Sequence, residues 1–183
     1  MSNNLLSKKN SLSEKVNGKF EVVIMSNIDK LQTNLFNIFP LSSKNSNNYK
    51  YLNRYILSIR ENIRFPKDFT TQYHPEIIDK LKQIDVLLLS YNISDKLSFE
   101  NIRTFYYLYY SKIEEEDKPK NIIILERDYA IKEDINFEGS LETASAENLA
   151  KLFNGYFCSF EDDLEKINRI FNECLKNLLI IYN

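Results

Sequence analysis

Few residues in this chain have the type and spacing for chemistry. Glu126 and Asp128 follow the apolar run "NIIIL" (121–125) and so fall at the carboxyl end of a buried strand, the edge where α/β sheets hold ligands. They are the best acid–base candidates, yet no nucleophile or base pairs with them in the sequence, which favours a solvated loop over catalysis. The single histidine, His74, stands before Pro75 without a partner at catalytic spacing. Cys158 and Cys174 have no neighbouring His, and one His in the chain excludes the usual zinc arrangements. Cys158, between Phe157 and Phe160, reads as a core thiol. The remaining chemistry is phosphate binding. In "FEVVIMSNIDKLQTNLFNIF" (20–39) a strand runs into a helix, the junction where many α/β proteins hold a phosphate on helix N–H groups. Lys30 is there, but no glycine is.

The hydropathy pattern predicts the elements that position these residues. Lys19–Ser26 has a continuous apolar centre, the mark of a strand covered on both faces. Ile28, Leu31, Leu35 and Ile38 recur at helical spacing and stop before Pro40, predicting a helix capped by Ser26 or Asn27. "LSSKNSNN" (41–48) reads as a loop, and Tyr49–Arg60 as one strand or a tight pair. A connection with Pro66 leads to a short helix over His74–Gln83. "DVLLLSY" (85–91) and "NIIIL" are further buried strands. Between them Phe99, Ile102, Phe105, Tyr106, Tyr109 and Ile113 mark a helix that closes in the acidic run Glu114–Asp117. After a polar connection, Ala146, Leu149, Ala150 and Phe153 make a helix ending at Asn154-Gly155. "YFCSF" (156–160) is a short last strand, and Leu164 to Leu178 an amphipathic C-terminal helix.

Strands alternating with helices predict an α/β fold: a doubly wound, mainly parallel sheet of five to six strands with helices on both faces. Residues 1–17 are polar and aperiodic and read as a disordered tail, leaving 18–183 as one domain. A chain of 183 residues with 43% hydrophobic and 27% charged residues can bury a core without metals or disulfides. The net charge of -2 disfavours nucleic acid as a partner. No stretch reads as a signal peptide or membrane span, so a cytoplasmic or nuclear protein without membrane insertion is expected. Glycine is scarce: Gly18, Gly139 and Gly155 are the only three.

The order of elements, with "IDVLLLSYNISDKLSFENI" and the following "KPKNIIIL", resembles the second half of Ras-like small GTPases. The resemblance implies a P-loop NTPase topology over roughly residues 19 to 180, and it lets each nucleotide motif be checked in its place. A phosphate loop needs glycines so that N–H groups can wrap the β-phosphate, then a Lys and a Ser or Thr. Here Leu31 follows Lys30 where the hydroxyl belongs, and Asp29 places a negative charge at the helix start. The Asp-x-x-Gly switch motif is absent, because no glycine lies between Gly18 and Gly139. Where Asn-Lys-x-Asp would read guanine stand Glu126-Arg127-Asp128-Tyr129, and the last motif is reduced to Ser159. The resemblance therefore implies a pseudo-GTPase: not an enzyme and without cofactor or metal. If a divergent GTP-binding GTPase survives, Lys30, Thr33 and Asp128 are the residues to hold the nucleotide.

Among degenerate small-GTPase-like proteins, "NYKYLNRYILSI", "FPKDF" and "PEIIDKLKQIDVLLLSY" are similar to the alpha- and gamma-adaptin-binding protein family, which includes the increased recombination centers protein. "VVIMSNIDKLQTNLFNIF" and "IDVLLLSYNISDKLSFEN" equally resemble the centromere protein M family. The first implies a scaffold or assembly chaperone for clathrin adaptor complexes in vesicle trafficking, partnered by an adaptor-complex subunit. The second implies a kinetochore pseudo-GTPase subunit within a larger assembly. In "FYYLYY" (105–110), Phe105, Tyr106 and Tyr109 are expected to face the sheet, with Tyr107 and Tyr110 on a flank as candidate interaction residues.

Overall fold

The computed structural model describes residues 18–27, 41–45, 48–51, 55–69, 71–127, 139–159, 162 and 164–182. The strands are β1 (Gly18–Ser26), β2 (Leu41–Asn45), β3 (Asn48–Tyr51), β4 (Tyr55–Ile63), β5 (Val86–Asn92), β6 (Asn121–Arg127) and β7 (Tyr156–Cys158). The helices are α1 (Glu76–Leu81), α2 (Lys96–Leu108), α3 (Gly139–Leu152) and α4 (Leu164–Tyr182). The predicted helix after β1 and the tail before it lie outside the described residues.

One sheet runs in the order β2-β3-β4-β1-β5-β6-β7. From β4 to β7 every neighbouring pair is parallel, while β3 is antiparallel to both β2 and β4. This is an α/β doubly wound architecture, compatible with the Ras-like arrangement. Alternate residues of the apolar strands serve opposite faces, as the period of two requires. Val23, Met25, Leu87, Leu89, Ile122 and Ile124 share one core with Phe99, Ile102 and Phe105 of α2 and Leu149 of α3. Val22, Ile24, Val86, Leu88, Ile123 and Leu125 share the other with Ile167, Phe171, Leu175 and Leu178 of α4. Continuous apolar runs were needed because both faces are covered.

The structure departs from the sequence pattern at three places. Within the stretch read as a loop, Leu41–Asn45 is β2, and the sheet has seven strands among the described residues where five to six were expected. A polar edge strand held by main-chain pairing to one neighbour shows no hydrophobic pattern. The segment read as one strand or a pair is a pair, and β4 carries a bulge. Val22 pairs with Ile59 but Val23 with Glu61, leaving Arg60 as the extra residue. That slip lets Ile59 and Ile63, four positions apart, enter opposite cores, and so blurs the alternation. Finally α2 ends at Leu108 and gives way to 3-10 turns at Tyr110–Lys112 and Glu115–Asp117. Tyr109 stacks on Phe69 at 4.7 Å, and its hydroxyl accepts from the His74 N–H at 2.8 Å. This tertiary anchor outweighs the helical period.

Candidate functional site

The carboxyl end of the parallel strands is where this architecture places ligands, and at the ends of β5, β6 and β7 side chains of the chain itself bond to one another there. After β5 the chain turns into α2 through Asn92–Asp95. The Asn92 N–H donates to Ser98 Oγ at 2.9 Å, and the Ser98 hydroxyl lies 2.6 Å from the Asp95 carbonyl oxygen. Asp95 Oδ1 accepts from the Leu97 N–H at 3.0 Å, so a carboxylate of the chain caps the helix start that an anion would use. The Ile93 N–H donates to the Arg127 carbonyl at 2.8 Å and ties this turn to the end of β6.

Glu126 occupies the centre of that edge and is 0% exposed. The Tyr91 hydroxyl donates to its Oε1 at 2.7 Å and the Ser159 hydroxyl to its Oε2 at 2.8 Å. One carboxylate thereby joins the ends of β5, β6 and β7. Tyr91 is fully buried, its ring 5.2 Å from that of Phe99. Beyond β7 the Ser159 N–H donates to Asp162 Oδ2 at 2.8 Å, and Lys166 holds Asp162 Oδ1 at 2.5 Å. An ionised carboxylate only accepts hydrogen bonds, and both oxygens of Glu126 are engaged from inside the fold. Glu126 is therefore a buried brace and not the solvated loop residue its polarity predicts. Its partners have no signature in the sequence; Tyr91 and Ser159 stand out only once β5, β6 and β7 are in register.

The other candidates scatter. Lys30, Thr33 and Asp128 lie outside the described residues. Cys158 is buried, and that burial pushes its thiol up to about 12 despite the nearby Arg127 charge. Cys174 is raised as well, first by burial and then by Cys158. Neither is poised for nucleophilic work. His74 lies 3.2 Å from Asp68 and 3.3 Å from Glu76, against the ring of Phe69. Its backbone anchors Tyr109, which makes it part of the clamp that seats the connection before α1. Tyr107 is exposed as expected, at 56%. Tyr110 is not on an open flank: it is buried, with its ring 4.9 Å from that of Phe153. The helix has already ended there, so the three-residue spacing from Tyr107 no longer places both rings on one side.

Among the described residues no group of three or more His, Cys, Asp and Glu could hold a metal ion, and no helix is long and apolar enough to cross a membrane. No protein-family model matches the chain, and no curated protein sequence matches it.

Proposed function

We propose that the chain is a non-catalytic protein-binding scaffold on a small-GTPase-like fold, a pseudo-GTPase. The observation that carries this reading is the Tyr91–Glu126–Ser159 brace. In the fold analogy Glu126 stands where an asparagine would read guanine. Guanine offers acceptors at O6 and N7, and a carboxylate has no proton to donate to them. The phosphate side argues the same way, since no glycine between Gly18 and Gly139 can let backbone N–H groups close around a triphosphate.

The resemblance to the adaptin-binding family makes the large subunit of a clathrin adaptor complex the proposed partner, met in the cytoplasm. The first test is to denature the purified chain and assay released guanine nucleotide. None is expected, and stoichiometric nucleotide would overturn the scaffold reading. Reciprocal copurification with adaptor large subunits tests the partner; recovery of inner-kinetochore proteins in their place would move the assignment to the centromere-type reading.

A further inference from the structure

The amino end of the sheet, opposite the braced edge, carries an open groove of about 550 Å³. Tyr110, Pro119, Ile122 and Phe153 line it and are buried, forming an apolar floor. Exposed Glu115, Glu116, Gln83 and Asn154 complete it. Gln83 and Asn154 both have left-handed backbone, φ 56° and 54°, and each follows a helix end, of α1 and α3 respectively. Two helix C-termini, each the negative end of a dipole, thus meet one groove.

The two lysines of the groove are already paired. Lys118 holds Glu115 at 2.6 Å, and Lys120 holds the buried Asp85 at 2.8 Å. Glu116 and the neighbouring Glu114 are exposed, with no ion pair among the described residues. The exposed acids of this run left without a lysine are thus Glu114 and Glu116. The chain itself displays what the groove accepts: the Lys118 ammonium lies 5.2 Å over the ring of Tyr110 while a carboxylate holds it. Beside the groove stands an apolar shoulder. Tyr107 is 56% exposed and packs edge-on to Tyr106 at 5.1 Å. Tyr106 meets Phe153 at 4.9 Å, and the residue before Phe153, Leu152, is 52% exposed.

We infer that this groove and shoulder bind an extended basic segment of a partner protein. A Lys or Arg side chain comes to Glu116 and Glu114 beside the paired Lys118, and an apolar neighbour lies on Tyr107 and Leu152. Charge complementarity selects this occupant, because an acidic or neutral segment leaves Glu114 and Glu116 without a counter-charge. The inference rests on the protein-binding reading above and assigns its face.

The test is fluorescence anisotropy of a labelled synthetic peptide of alternating Lys and Leu against the full chain, with a Glu-Leu peptide as counterpart. The Lys-Leu peptide is expected to bind and the Glu-Leu peptide not. Glu116→Lys should weaken binding roughly five- to tenfold and the pair Tyr107→Ala with Leu152→Ala roughly threefold. All three positions are exposed, so folding should hold, and a thermal melt checks it. Glu165→Lys, on α4 and packed on the other side of the sheet, should leave affinity unchanged. Absent binding, equal binding of both peptides, or equal loss in Glu116→Lys and Glu165→Lys would overturn the inference. The two readings fail separately: peptide failure without bound nucleotide moves the partner to another face, whereas released guanine nucleotide ends the pseudo-GTPase reading whatever the peptide does.

Discussion

The two ends of the sheet each bury one carboxylate, and they satisfy it in different ways. At the carboxyl end Glu126 is held by the neutral hydroxyls of Tyr91 and Ser159. At the amino end Asp85, 5% exposed, accepts the Glu21 N–H at 2.8 Å and the Lys120 ammonium at 2.8 Å. A carboxyl group held by hydroxyls from two neighbouring strand ends draws those ends together. A carboxylate held by a lysine cancels one of the groove's positive charges and leaves the neighbouring acids to set its sign. The end that usually takes a ligand is thus braced from within, while the opposite end keeps an acidic, aromatic groove open.

Removing each brace sharpens this contrast, beginning with the larger effect. Glu126→Ala strands the buried Tyr91 hydroxyl and the half-buried Ser159 hydroxyl and should cost about 3 kcal/mol in urea unfolding. Glu126→Gln keeps an acceptor and hydroxyls can rotate to accept, so about half that loss is expected. A Glu126→Ala variant as stable as the parent would break the comparison at its stronger end. Asp85→Ala should cost less, about 2 kcal/mol, because the Lys120 side chain is 27% exposed and can rehydrate when its partner is removed. Asp85→Asn, which retains an acceptor for the Glu21 N–H, should recover part of it.

Gly155→Ala probes the turn that shapes the groove. A Cβ there would meet the Ile122 carbonyl oxygen at 2.6 Å. The backbone must shift, at about 1–3 kcal/mol. A smaller effect comes from pH. Burial holds the Cys158 thiol neutral up to about 12, against an ordinary 9.0. Below pH 9 folded and unfolded chains carry the same proton and stability is unaffected. Above it the unfolded chain releases a proton that the folded chain keeps, so Cys158 alone should lower stability by about 1 kcal/mol by pH 10. Urea midpoints at pH 8 and pH 10 check the slope, which should lessen in Cys158→Ala and keep the part due to Cys174, raised by burial as well.

The strands of the parallel core were legible because Val22–Met25, Leu87–Leu89 and Ile122–Leu125 are buried on both faces and must be apolar throughout. The helix spacing of Phe99, Ile102 and Phe105 was legible for the same reason. β2 was not, since Ser42 and Ser43 join the sheet through main-chain pairing that composition does not record. Tyr110 was misplaced because a periodicity argument holds only while the helix lasts, and Tyr109 ends it. At the site, the sequence could mark Glu126 as a residue at the right edge but not its environment. The Tyr91 and Ser159 hydroxyls reach it only through the pairing of Tyr91 with Glu126 across β5 and β6 and of Leu125 with Cys158 across β6 and β7. The groove was invisible beyond its acidic run, being assembled from two helix ends and a 3-10 turn.

The proposed pseudo-GTPase reading requires that the carboxyl end of this sheet seat no guanine nucleotide. Its most direct measurement is a titration of the full purified chain with fluorescent GTP and magnesium, followed by competition with unlabelled GTP. No saturable, competable binding in the micromolar range is predicted. Micromolar binding that unlabelled GTP displaces would contradict the account.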